Sequence, residues 1–276
     1  MKKQWYIGII QNRVTGEKTV NIDQARKMIA GAADKGARVV VLPEMFNCPY
    51  ENEAFPVFSE SYPGGETIAM LRETAADRKV YIIGGSIPEE EENRIYNTCF
   101  IFGPDGNLLA RHRKAHLFDV ELKEGLVFRE SDVLSRGDGI TVVDTGFGRI
   151  GVAICYDIRF PEVARIMALQ GAKVMVVPAA FNMITGPAHW EVTLRTRALD
   201  NQLYVAGAAP ARDEQASYVA YGHSMLVDPW GRVVESLDEK EGIIIAEIDQ
   251  DRLEQVRNEL PLLKHRRTDL YEIREI

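Results

Sequence analysis

The chain has 276 residues, 46% of them hydrophobic and 27% charged, with 33 Lys and Arg against 41 Asp and Glu for a net charge of −8. This is the composition of a globular domain long enough to bury a core without covalent staples. No basic block offsets the acidic balance and no apolar run nears the ~18 residues of a membrane span, so neither nucleic acid nor membrane is an expected partner.

After Met-Lys-Lys, the run Trp5–Ile10 is too short for a signal peptide and reads as a strand, which places the expected location in the cytoplasm. Ile22–Lys35 has apolar residues at helical spacing, with Asn21 or Asp23 as the cap and Gly36 as the stop. Arg38–Leu42 reads as a strand buried on both faces, Thr67–Lys79 as a helix and Val80–Ser86 as a second buried strand. Tyr96–Phe102, the turn Gly103–Gly106 and Leu108–Arg113 form a hairpin. The pattern then recurs. Ile140–Asp144 and Ile150–Tyr156 are strands, Pro161–Gln170 a helix, Lys173–Val177 a strand, Ala188–Asp200 a helix and Leu203–Ala208 a strand. A second hairpin, Gly222–Val227 with Val233–Leu237, precedes the strand Ile243–Ile248 and the helix Asp251–Leu260. Alternating strands and helices predict an α/β fold, and the repeated half suggests two mixed sheets face to face with helices outside, a four-layer α-β-β-α sandwich. No linker divides the chain, so a single domain spanning 1–276 is expected, with the charged stretch Pro261–Ile276 as an extended arm suited to lie on a partner subunit.

Three strand ends carry reactive side chains, and each admits two readings. Glu44 follows the buried run Val39–Leu42, where desolvation would make it a competent base; it could equally cap a backbone group or pair with an arginine. Cys155 leaves an apolar strand just before a helix start, a field that favours thiolate, yet free cysteines are commonly plain buried hydrophobes. Lys114 ends the run Arg111-His112-Arg113-Lys114, which reads either as a charge donor turned inward or as a solvated basic turn. Cys48 and Cys99 lack such an exit. Three well-separated cysteines argue against disulfides, and no Cys/His spacing suits a zinc site, so no metal is expected. A Cys–His pairing also stays open, with His112, His116, His189 and His223 available. Serine-elbow, phosphate-loop and dinucleotide motifs are absent.

The stretches Leu42-Pro43-Glu44, Arg113–Asp119 and Ile154–Glu162 together resemble the nitrilase superfamily of carbon–nitrogen hydrolases over nearly the whole chain. Phe46–Tyr50, Gly84–Glu90, Ala180–Trp190 and Ser217–Ser224 are similar to the ω-amidase branch, which acts on 2-oxoglutaramate and 2-oxosuccinamate. The resemblance implies Cys155 as nucleophile, Glu44 as general base, Lys114 as oxyanion donor and Glu130, otherwise an ordinary loop acid, as a second glutamate that positions substrate and Lys114. The backbone N–H of Tyr156 would complete the oxyanion site, and no cofactor is required. On this reading Lys114→Ala would cripple the enzyme without unfolding it.

A monoamide of a dicarboxylic acid needs a cation for its free carboxylate. Arg159 is the candidate, with an ion pair to Glu162 or Asp157 as the alternative; Tyr50, Phe181 and Thr185 fall in stretches that resemble the pocket wall. Two further functional readings stand beside the ω-amidase. One is a sibling amidase acting on deaminated glutathione or an N-carbamoyl compound. The other is a catalytically idle, dimeric binding protein, which would be expected to have lost at least one of the three reactive residues. The resemblance also implies a homodimer or larger homo-oligomer.

Overall fold

The computed structural model describes residues 4–121, 123, 125 and 127–276. The first half runs β1 (Gln4–Gln11), α1 (Lys18–Asp34), β2 (Ala37–Val41), α2 (Ala54–Phe58), α3 (Glu66–Arg78), β3 (Tyr81–Ile83), β4 (Ile87–Glu91), β5 (Arg94–Phe102) and β6 (Leu108–Arg113). The short strands β7 (Asp119–Glu121), β8 (Val127–Arg129) and β9 (Leu134–Ser135) follow. The second half runs β10 (Thr141–Thr145), β11 (Gly148–Val152), α4 (Pro161–Leu169), β12 (Ala172–Pro178), α5 (Thr185–Asn201), β13 (Tyr204–Ala208), β14 (Met225–Val227) and β15 (Val233–Ser236), then β16 (Gly242–Asp249) and α6 (Gln250–Glu259).

Two mixed sheets result. The first has the order β16-β1-β2-β3-β5-β4, with β6 and β9 also on β5; the second has the order β10-β11-β12-β13-β14-β15. In the first, β1, β2 and β3 are parallel while β16 closes the edge of β1 antiparallel, from Gln4 opposite Asp249 to Gln11 opposite Gly242. The second repeats the device, with β11, β12 and β13 parallel and antiparallel strands on either side. Strand alternation sorts the core. Ile7, Ile9, Val39, Val41 and Ile83 meet Val143, Ile150 and Val152 of the other sheet. Ile10, Val40, Leu42 and Ile82 point the opposite way, onto Ile22, Ile29, Ile68 and Leu71 of α1 and α3. Each fully buried aliphatic side chain stabilises by about 1.5–3 kcal/mol, which makes apolar runs on both faces the cheapest way to hold a sheet between two layers. The expected four-layer α-β-β-α sandwich is the architecture observed.

Several expected boundaries move, each for a physical reason. Helix α1 starts at Lys18, and neither Asn21 nor Asp23 caps it: Asn21 is buried one turn inside, bonded to Thr15 and to the carbonyl of Asn47. The expected strand Val80–Ser86 stops at Ile83, because Gly85 adopts φ +55° and passes so near the Pro43 carbonyl that a Cβ would lie 2.1 Å from its oxygen. The strand expected over Ile150–Tyr156 stops at Val152, which leaves Cys155 in a 3-10 turn, Cys155–Arg159. Helix α5 begins at Thr185 rather than Ala188, capped by Asn182 Oδ1, which accepts from the N–H groups of Ile184 and Thr185. The second hairpin keeps only Met225–Val227 of its first strand. Strand β4 carries Pro88 and three glutamates and so shows no apolar alternation; it survives as an edge strand on β5. The segment 261–276 has no regular strand or helix, and its Glu275 accepts from Ile140 N–H at 2.7 Å and Gln170 Nε2 at 3.1 Å. No helix among the described residues is long and apolar enough to cross a membrane.

Candidate active site

Parallel strands deliver the chain to one end of each sheet, and three such exits meet. The loop after β2 carries Glu44 inward to 1% exposure. Ser86 pins that loop: its N–H donates to the Pro43 carbonyl, while its Oγ and carbonyl accept from Met45 and Phe46. Met45, directly after Glu44, has φ +49°.

Strand β6 places Lys114 by alternation. Arg111 and Arg113 reach outward to Glu89 and Glu91, whereas His112 and Lys114 point in. The Lys114 side chain is wholly buried between two carboxylates, donating to Glu44 Oε1 and Glu130 Oε1 at 2.9 Å each. Glu130 opens a 3-10 turn and is itself fixed, since its Oε2 accepts from Phe118 N–H at 2.7 Å. The Tyr50 hydroxyl donates to Glu130 Oε1 at 2.5 Å and lies 3.3 Å from Glu44 Oε1. Asn97, on β5, donates to Glu44 Oε1 at 2.8 Å.

Cys155 adopts φ +43°, a left-handed conformation uncommon outside Gly, Asn and Asp, at the first residue of its turn. Asp157 over-determines that turn. Its Oδ2 accepts from Ile154 N–H at 3.0 Å, and its Oδ1 accepts from both the backbone N–H and Nδ1 of His116. His112 Nε2 lies 3.4 Å from the same carboxylate. The two histidines that flank Lys114 in sequence therefore tie its strand to the cysteine turn. Burial would raise the Asp157 carboxyl, but the bonds from His112 and His116 hold it well below the usual range. Arg197 Nε and Nη2 grip the Ile158 and Arg159 carbonyls at the other end of the turn.

Burial raises the Glu44 carboxyl above its ordinary value; the Lys114 ammonium opposes that rise and Glu130 adds to it. Burial and then the charge of Glu44 push the Cys155 thiol well up, against the pull of Lys114 and the Ala180 backbone N–H. Lys114 goes the other way: burial alone would lower it, yet Glu130 and Glu44 hold the ammonium well above its usual value. The resting site is therefore a charged lysine, a protonated thiol and a carboxyl with raised proton affinity. Among the described residues Glu44 Oε2 has no partner at full hydrogen-bond geometry, and the Cys155 thiol is near enough to act on the carboxylate as a weak donor. A base, a cation and a nucleophile so placed can support attack on a carbonyl carbon and hold the oxyanion that forms.

A cavity of about 420 Å³ reaches this cluster through Glu44 and Tyr50, and Ala180, Tyr218, Arg13 and Asp213 also line it; Cys155, Lys114 and Glu130 are not among its lining residues. Tyr156, Arg159, Phe181 and Thr185 are not among its lining residues. Tyr156 is half-buried, edge-on to Phe118 and Phe160. Phe181 packs on Trp190, and the Thr185 hydroxyl is taken up by Asn182 Oδ1 at 3.1 Å. Arg159 makes no ion pair among the described residues: Asp157 is occupied by the histidines, and the guanidinium instead lies 4.7 Å over the Phe181 ring with Nη1 3.0 Å from His189 Nδ1. Asn97 and Arg197 escaped the sequence reading, whereas Tyr218 and Asp157 entered it only within the stretches Ser217–Ser224 and Ile154–Glu162, Asp157 also as a possible partner of Arg159. Among the described residues no group of three or more His, Cys, Asp or Glu is arranged to hold a metal ion.

The sequence matches the carbon–nitrogen hydrolase family over residues 6–258. It is 51% identical over 269 residues to the omega-amidase NIT2-A of Xenopus laevis, covering 98% of this chain and 97% of that one. It is 52% identical over 274 residues to the chloroplastic omega-amidase of Arabidopsis thaliana, covering 98% and 74%. The fold superposes on Saccharomyces cerevisiae Nit3, described as a member of branch 10 of the nitrilase superfamily, with a TM-score of 0.88 and 40% identity over 96% of this chain and 97% of that one. Agreement of sequence and fold over nearly the full length shows that the chain belongs to the carbon–nitrogen hydrolase family of the nitrilase superfamily, as its motifs led us to expect, and is a hydrolase of carbon–nitrogen bonds other than peptide bonds.

Proposed function

We propose that this protein is an ω-amidase: it hydrolyses the terminal amide of a 2-oxo dicarboxylic acid monoamide, such as 2-oxoglutaramate or 2-oxosuccinamate, to the dicarboxylate and ammonia through a thioester on Cys155. The observation that carries the chemistry is the burial of Lys114 between Glu44 and Glu130 beside the Cys155 turn. The substrate class is supported by the two omega-amidases that share about half of its residues.

Glu44 takes the thiol proton as Cys155 Sγ attacks the amide carbon. The tetrahedral oxyanion is held by Lys114 Nζ and the N–H of Tyr156. Glu44 returns the proton to the amide nitrogen, the C–N bond breaks, and ammonia leaves a thioester behind. Water then gives a proton to Glu44 and adds to the thioester carbon; collapse expels the thiolate, which recovers its proton from Glu44. Glu130 keeps the Lys114 ammonium in place throughout.

Because burial raises Glu44, the acid limb of kcat/KM is expected above the ordinary glutamate value of about 4.5. Activity falls as Glu44 protonates, so a limb at or below that value would contradict its role as base. Arg159, which makes no ion pair among the described residues and rests on Phe181 and His189, is the proposed partner of the substrate carboxylate. Arg159→Met should raise KM for a dicarboxylic monoamide about 10–100-fold, the worth of one charged hydrogen bond, and leave neutral amides unaffected. Equal losses on charged and neutral substrates would assign Arg159 to packing. Ammonia release across 2-oxoglutaramate, aliphatic amides, N-carbamoyl amino acids and deaminated glutathione tests the substrate class; preference for any but the first rejects it.

A further inference from the structure

Glu44 uses its two oxygens unequally. Oε1 accepts from Lys114 Nζ at 2.9 Å and Asn97 Nδ2 at 2.8 Å, with the Tyr50 hydroxyl 3.3 Å away. Oε2 is buried with no hydrogen-bond partner among the described residues. Asn97 is fully buried on β5 and reaches both members of the pair: its side chain holds Glu44, and its backbone carbonyl accepts the Lys114 N–H at 2.9 Å. A carboxylate oxygen engaged by two strong donors is a poor proton acceptor, and its partner oxygen is left as the basic one.

We propose that Asn97 is a positioning residue: by holding Oε1 of Glu44 it commits Oε2 to proton exchange with the Cys155 thiol. The inference rests on Glu44 acting as the base. The charged and titratable groups facing Glu44 are Lys114, Tyr50, Glu130 and Cys155, with Tyr218 and Cys48 also in electrostatic reach. Of the groups that bond Oε1, Lys114 and Tyr50 are shared with Glu130, whereas the Asn97 amide donates to Glu44. Losing the amide would let the carboxylate turn about its terminal torsion and would remove a bond that favours the charged form.

Asn97→Leu keeps the volume and removes the donor; Asn97→Ala removes it with no steric risk and decides the matter if the first variant does not fold. The readout is the pH dependence of Cys155 alkylation by iodoacetamide in the intact protein, which needs no knowledge of the substrate. Loss of one hydrogen bond to the ionised form should move the acid limb upward by about one pH unit, which slows alkylation about tenfold at pH values below the wild-type limb and leaves the plateau above it unchanged. A packing role would slow alkylation by the same factor at every pH, and an unmoved limb in the variants overturns the inference. Glu44→Gln separates the two layers of the argument. If it alkylates like the wild type, the base reading fails and the inference with it. If it is unreactive while the Asn97 variants keep the wild-type limb, only the positioning role fails.

Discussion

Replacing Cys155 by alanine should reduce amide turnover by on the order of 10⁴-fold or more, since the nucleophile and every covalent step vanish together. The protein should stay folded. Cys155 is a buried free cysteine, so trimming its sulfur costs about 1 kcal/mol, the typical range for a small core change. Intact-mass analysis after brief incubation with 2-oxoglutaramate should show an acyl adduct on the wild type and none on the variant. Cys48 and Cys99 should remain unmodified: burial raises all three thiols, but Cys155 has the Glu44 carboxylate and the Lys114 ammonium acting on it together. A Cys155→Ala variant that still turns over the amide would end the mechanism proposed for Cys155.

Lys114→Ala should have two effects. Loss of an oxyanion donor lowers turnover by about 10²–10³-fold. The sequence alone suggests a purely kinetic lesion, but the structure adds a thermodynamic one. Lys114 lies wholly buried between Glu44 and Glu130, so its removal leaves two buried carboxylates without their cation. Breaking such a network from one side costs about 3–5 kcal/mol. The sign of the pH dependence follows from linkage. In the wild type the Lys114 ammonium is held above its ordinary value, so its contribution is complete below an unfolded pKa of about 10.4 and is lost only as pH rises through the folded one. In the variant, unpaired carboxylates bind protons more tightly folded than unfolded, so stability should fall as pH rises from about 4 toward neutrality. Thermal unfolding of both proteins between pH 5 and 8 checks this (roughly the window in which such carboxyls titrate). A variant whose deficit is the same at every pH, or absent, would show that Glu44 and Glu130 do not depend on Lys114.

The sequence by itself determined the strands and the reactive exits. Val39–Val41, Val174–Val177 and Val205–Ala208 are apolar on both faces, and only a sheet covered on both sides satisfies that pattern. The turns Gly103–Gly106 and Asp228–Gly231 named both hairpins through backbone chemistry local to four residues, and Glu44, Lys114 and Cys155 stood at the ends of such runs. What only the tertiary structure decided is which charges lose water. Arg111, Arg113 and Lys114 form one basic run in sequence, yet strand alternation sends the arginines to Glu89 and Glu91 on one face and buries the lysine between Glu44 and Glu130 on the other. Glu130 passed as a loop acid because its partners, Tyr50 and Lys114, come from other parts of the chain, 80 and 16 residues away. Asn97 and Asp157 carry no local signature of their task, since each acts on a group 53 or 41 residues distant. Secondary structure follows from near neighbours in the chain. Desolvation and charge pairing depend on neighbours in space, and they set the proton affinities of the site.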